Sequence, residues 1–165
     1  MDLQAFAVRS KSQAAENKKF LKSLSRKDVR VVDEAFHREH EDVFAQTNCL
    51  TCANCCKTTS PIFYPNDVER AARVLGLKPG EFAERFLRID EDHDYVLKSL
   101  PCPFLLPDNR CHIYEYRPKA CREYPHTHRK KMTQILDLTY RNTLVCPAVL
   151  QMVERLKRHP LLKPV

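Results

Sequence analysis

The chain has 165 residues, eight cysteines, only two glycines and a formal net charge of +7. A chain of that length can bury roughly two-thirds of the surface its unfolded form exposes, so the cysteines are not needed to staple an undersized core. Gly76 and Gly80 cannot assemble a glycine-rich phosphate loop or a dinucleotide fingerprint, which excludes nucleotide chemistry of those kinds.

Met1 to Arg9 contain no apolar signal-peptide core. The longest nearly apolar run, Leu144 to Leu150, holds Pro147 and is far too short to cross a bilayer. The expected setting is the cytoplasm, with no membrane partner. Residues 12–45 have helical periodicity in two segments that break near Ser23-Leu24-Ser25, with Ser25 placed to cap the second. Val29, Val32, Phe36 and Val43 recur at helical spacing there. His40 falls on the same stripe and His37 one turn before it, a pair that resembles a metal half-site. A packed His40 beside a solvated His37 is the favoured reading, because the H-E-x-x-H order of zinc proteases is missing.

Residues 47–60 read as a polar, cysteine-bearing loop, and Ser60 to Tyr64 as a short extended piece. A helix is predicted from Pro65 to Leu75, with Val68, Ala71, Ala72 and Leu75 on one face and Gly76 past its end. Pro79 opens another, carrying Phe82, Phe86 and Leu87. Asp90 to Asp94 is an acidic turn without EF-hand spacing, and Tyr95 to Lys98 reads as a strand. From Leu100 to Pro125, Pro101, Pro103, Pro107, Pro118 and Pro125 break up any long helix or central strand. A final helix is predicted from Pro147 to Lys157, carrying Val149, Leu150, Val153 and Leu156. The expected fold is mainly α with short strands and irregular loops. An N-terminal helical segment over residues 1–46 would precede a metal-pinned, cysteine-cluster domain over residues 47–165.

Residues 111–165 carry 11 basic and 4 acidic side chains, so this stretch alone equals the +7 of the whole chain. Such a surface admits a polyanionic partner, but no nucleic-acid module accompanies the charge, and nucleic acid is not the favoured partner.

In a reducing compartment, clustered cysteines read as metal ligands or redox groups before disulfides. Cys49, Cys52, Cys55 and Cys56 form the pattern C-x2-C-x2-C-C. A two-residue gap lets both sulfurs face one centre while neighbouring backbone amides donate to them. Zinc knuckles normally show one such gap with a second pair elsewhere, whereas two in succession match the three clustered ligands of a ferredoxin-type site. Cys55 and Cys56 are adjacent, and successive side chains diverge, so they serve different centres or one is a buried thiol. Eight cysteines divide naturally into two sets of four, but spacing leaves the partition open.

Cys102 and Cys146 each precede a proline, as the remote ligand of ferredoxin-type clusters does. Cys111 and Cys121 complete the set of eight candidate ligands. Four thiolates around zinc, or around a doubly charged four-iron cluster, leave a formal charge of about −2. Arg117, Lys119 and Arg122 are placed to offset it. His112, His126 and His128 are secondary candidates, since imidazole can replace a sulfur.

These motifs occur in a fixed order: C-x2-C-x2-C-C, Cys-Pro-Phe-Leu at 102–105, Cys-His-Ile-Tyr at 111–114, Arg-Pro-x-x-Cys-Arg-x-Tyr-Pro at 117–125, and Cys-Pro at 146–147. The order resembles the YkgJ-like cysteine-cluster family, over about residues 47–150. The resemblance implies a zinc- or iron-chelating domain, and related proteins are loosely called iron–sulfur oxidoreductases. It implies no substrate. Related domains occur in proteins linked to flagellin lysine methylation, but nothing in this chain resembles a methyl-donor site. Where the family often has a glycine between the second and third cysteines, this chain has Ala53-Asn54.

The leading expectation is a cysteine-ligated iron–sulfur cluster, of four-iron type first. Its role would be electron transfer, redox sensing or cluster handling with a protein redox or assembly partner. The alternative is a zinc-stabilised module that docks an acidic partner through its basic C-terminal third. A cysteine-nucleophile enzyme is disfavoured because no residue arrangement marks a dedicated base.

Overall fold

The structure is a computed structural model that describes residues 2–163. The chain forms two compact units: residues up to 49 together with those from 125 onward, and residues 50–124.

The first unit opens with α1 (Leu3–Ser12), α2 (Ala14–Leu24) and α3 (Val29–Phe44). Helix begins earlier than the apolar periodicity predicts. The Asp2 carboxylate accepts the N–H groups of Gln4 and Ala5 at 2.9 and 3.0 Å, and Phe6 is buried. Ser25 does not cap α3: it ends α2, and its hydroxyl donates to the Lys22 carbonyl at 2.8 Å. The cap is Asp28, which accepts from Arg30 and Val31 N–H at 2.8 and 3.3 Å. A carboxylate also complements the positive end of the helix dipole, which a hydroxyl cannot.

The second unit contains α4 (Asn54–Thr58), α5 (Pro65–Val74), α6 (Pro79–Phe86), the antiparallel pair β1 (Leu87–Ile89) and β2 (Tyr95–Leu97), and α7 (Lys119–Glu123). Leu87, expected on the preceding helix, starts β1 and pairs with Leu97. Asp90 closes the acidic turn between the strands by accepting from Asp92 and Asp94 N–H, both at 3.0 Å. The core gathers Phe63, Val68, Ala72, Phe82, Leu97 and Phe104. The Phe82 and Phe104 rings stack with centroids 5.8 Å apart.

The chain then returns to the first unit as α8 (Leu136–Thr143) and α9 (Pro147–Leu156). Here α2 packs on α8 and α3 on α9. Val149, Met152, Val153 and Leu156 recur at helical spacing along α9 and are buried against Val32 and Phe36 of α3. Arg155 reinforces the contact with ion pairs to Glu39 and Asp42 at 2.5 and 3.1 Å. The expected mainly-α architecture with short strands is what the described residues show. No helix among them is long and apolar enough to cross a membrane.

Candidate metal centre

In the second unit, four of the eight cysteines come together from four separate stretches of chain. Cys56 lies on α4, Cys121 on α7, and Cys102 and Cys111 on the two arms of a hairpin between them. The hairpin forms because Leu105 bridges to Cys111, His112 N–H donates to Phe104 O at 2.8 Å, and Leu106 N–H to Arg110 O at 2.8 Å. Its tip is a turn with Asn109 in the left-handed region (φ 64°), a conformation asparagine tolerates. The Asn109 amide donates to the Leu50 carbonyl at 2.7 Å, tying the tip to the loop before Cys52. At the other end, Cys102 N–H donates to the Cys56 carbonyl at 2.8 Å. Hairpin and α4 are thus joined by backbone, and the prolines that abolish periodicity leave room for that geometry.

Every pair among Cys56, Cys102, Cys111 and Cys121 is close enough for thiolate charges to repel. Burial, reinforced by the other three thiols, pushes the Cys121 thiol up to about 12, with Arg117 acting in the opposite direction. Burial pushes Cys102 up to about 11, opposed by the Phe104 and Leu105 N–H groups that donate to its sulfur. Burial also raises Cys111, against an N–H donation from Ile113 and the charge of Arg117. Cys56 moves the other way, down to about 7, because the Cys55 thiol hydrogen-bonds to it and outweighs burial, with Lys57 assisting. The Cys55 and Cys56 sulfurs are 4.0 Å apart. A half-buried set of neighbouring thiols with amide donors on its sulfurs suits a soft cation or cluster, which replaces the protons and removes the repulsion between thiolates.

The remaining cysteines have different surroundings. Cys52 is buried and accepts from Asn54 N–H at 3.4 Å. Between them Ala53 adopts the left-handed conformation (φ 48°) that starts α4, a backbone region that glycine enters without a Cβ penalty. Cys49 is exposed, and Cys146 precedes α9 and packs on the core of the first unit. No disulfide involves Cys52, Cys56, Cys102, Cys111 or Cys121. Among the described residues, no group of three or more His, Cys, Asp or Glu side chains is arranged, as it stands, so that it could hold a metal ion.

The two arginines singled out by sequence differ in what they touch. Arg117 lies 3.7 Å from the Tyr114 ring centroid, donates to the Tyr114 carbonyl at 2.6 Å, and its charge acts on Cys111 and Cys121. Arg122 donates to the Arg117 carbonyl at 2.8 Å and so braces that segment. Lys119 pairs with Glu123 at 3.6 Å. His112 is exposed, and His128 belongs to the first unit, beside His37 and His40.

Two residues that sequence reasoning missed hold the Cys121 helix in place. Asp67 on α5 is buried and accepts Lys119 N–H, at the start of α7, at 3.1 Å. It also pairs with Arg70 at 2.7 Å, and Arg70 donates to the Arg117 carbonyl at 3.1 Å. Asp67 stands three residues into the helix opened by Tyr64-Pro65, a capping position readable from sequence, and it does accept Tyr64 N–H at 3.2 Å. Its second role, across to α7, leaves no local signature.

A family model, CxxCxxCC, described as a putative zinc- or iron-chelating domain, matches residues 48–144. That span includes every cysteine except Cys146, which lies just beyond it. No curated protein and no solved structure matches the chain. The match covers more than half of the residues and contains the four gathered thiols, and the chain belongs to the CxxCxxCC family of zinc- or iron-chelating, metal-binding domains.

Proposed function

We propose that the protein carries a thiolate-ligated iron–sulfur cluster and works in electron transfer, redox sensing or cluster handling with a protein partner. The observation that supports this most is the gathering of Cys56, Cys102, Cys111 and Cys121 in one half-buried neighbourhood of the second unit. Four thiols are the donor set of a four-iron cluster, and the doubled two-residue gap of Cys49, Cys52 and Cys55 is ferredoxin-like. In this reading the four gathered thiols of the second unit are the primary ligands. A bound cluster would supply one-electron chemistry, with its potential set by charge, hydrogen bonds to sulfur and exposure. The protein's part is then specific: N–H groups of Phe104, Leu105 and Ile113 donate toward ligand sulfurs, and Arg117 offsets their charge.

The same four thiols are also a complete tetrahedral zinc set, which supports a second reading. Zinc would then stabilise the fold, and the exposed Arg129, Lys130 and Lys131 would belong to a surface that docks an acidic partner. The deciding experiment is purification without oxygen, followed by iron, zinc and acid-labile sulfide analysis per chain. Iron with matching sulfide and a visible chromophore supports the cluster. Zinc without sulfide or colour overturns it in favour of the structural module.

A further inference from the structure

The first unit holds a group of imidazoles that the cysteine chemistry does not use. His37 and His40 sit three residues apart on α3, and His128 comes from the loop before α8. The His128 ring centroid lies 4.7 Å from that of His37 and 5.1 Å from that of His40. Glu41, next on α3, has its Oε1 3.7 Å from His128 Nε2. Metal–nitrogen bonds of about 2.0–2.1 Å at a tetrahedral ion set neighbouring ring centroids about 5 Å apart, the spacing found here.

Two of the rings are also held by their second nitrogen, as ligand imidazoles are. His37 Nε2 donates to the Arg129 carbonyl at 2.9 Å, which in a neutral ring leaves Nδ1 with its lone pair. His40 Nδ1 is hydrogen-bonded to the hydroxyl of the fully buried Thr127 at 2.8 Å, and in the tautomer in which Nδ1 donates, Nε2 is its ligand atom. The loop that delivers His128 is itself pinned to α3: Asp33 accepts Lys131 and Met132 N–H at 2.7 and 2.8 Å. Three imidazoles this close repel when protonated, and a shared cation removes that conflict.

We propose that His37, His40 and His128, with Glu41 at the edge, form a second metal site that takes a zinc-class divalent transition-metal ion. Imidazole and carboxylate make a harder donor set than the thiols and suit such an ion without sulfide. As they stand, no three of the described His, Cys, Asp or Glu side chains are arranged so that they could hold a metal ion. The rings of the exposed His128 and the half-buried His37 therefore turn onto the ion as it binds.

The test is a zinc titration of the full chain with its cysteine centre in the state in which it is isolated. Calorimetry counts added zinc, and NMR follows the histidine ring resonances. The expected result is one added equivalent that shifts the rings of His37, His40 and His128. In His128→Asn and His37→Asn that equivalent weakens by about tenfold or more, while the cysteine-bound metal and the unfolding transition stay as in the parent. His128 is exposed, so its variant carries the test even where a substitution at His40 disturbs folding. No added equivalent, added zinc that leaves the three rings unshifted, or unchanged affinity in the variants would each overturn the site.

Discussion

The buried carboxylate of Asp67 accepts the backbone N–H of Lys119 at 3.1 Å and thereby fastens α7, with Cys121 on it, to α5. Through Arg70 the same carboxylate also reaches the Arg117 carbonyl. One acidic side chain, 52 residues upstream in sequence, thus positions both a candidate ligand and the cation beside it.

Asp67→Ala is expected to destabilise the second unit by about 3 kcal/mol, because it removes a charged acceptor and strands buried donors. The half-exposed Arg70 keeps the cost from going higher. Metal affinity should fall by about tenfold or more, since Cys121 loses its fixed position. Denaturant unfolding and chelator competition measure the two effects separately. Stability lost with affinity intact would show that Asp67 holds the fold but not the site.

Cys121→Ser and Cys56→Ser should each remove most of the bound metal, whereas Cys52→Ser, outside the four gathered thiols, should remove less. Metal analysis of the purified variants reads this directly. Full metal retention in the Cys121 and Cys56 variants would end the ligand assignment.

Proton release should accompany metal binding. Cys102 and Cys121, at about 11 and 12, and the raised Cys111 hold their protons at neutral pH, whereas Cys56, at about 7, is largely ionised by pH 8. Binding at pH 8 through these four thiols should therefore release about three protons per centre, and affinity should rise with pH. Calorimetry in buffers of different ionisation enthalpy counts those protons. The metal-free fold has the opposite dependence. Thiols whose folded pKa lies above the usual 9.0 support the fold below that pH. Their contribution is lost as pH rises through 9 toward 11 and 12, because the unfolded chain ionises first.

Phe104→Ala should cost about 3–5 kcal/mol, through the cavity left against Phe82 and Phe86. The backbone N–H toward the Cys102 sulfur and the carbonyl that accepts His112 N–H are kept in this variant, so metal retention should fall only as far as the cavity loosens the hairpin. Unfolding curves with and without bound metal should separate the core contribution from the site contribution.

Ala53→Gly should change stability by under about 1 kcal/mol. Relief of the left-handed backbone, worth about 1–2 kcal/mol, is nearly offset by loss of a buried methyl group worth about 0.8 kcal/mol. Ala53→Val, β-branched in the same conformation, should destabilise clearly and loosen the loop between Cys52 and Cys55. Thermal unfolding of the two variants distinguishes the outcomes.

Much of the fold was legible from local pattern. The helices beginning at Pro65, Pro79 and Pro147 lie within a residue or two of their predicted ends, because proline starts them and apolar spacing of three and four marks their buried faces. The strand at Tyr95 was readable from its run of apolar and aromatic residues, but its partner β1 was not. Leu87 continues a helical pattern, and only pairing with Leu97 draws it into a strand. Helix α8 escaped for a related reason: its buried face includes Thr139, Asn142 and Thr143, polar residues that carry no hydrophobic period.

For the site, the sequence alone determined the chemistry: eight cysteines in ordered motifs and a cation beside Cys121, enough to identify a metal-chelating family. Tertiary structure alone decided which of them meet. Cys56 comes within electrostatic reach of Cys102, Cys111 and Cys121 because a hairpin and two short helices are fastened by Cys102 N–H, Asn109 and Asp67. His128 reaches His37 and His40 because Asp33 pins the intervening loop. Spacing along a chain constrains only neighbours a few residues apart, whereas these contacts are set by where packed elements bring distant residues together.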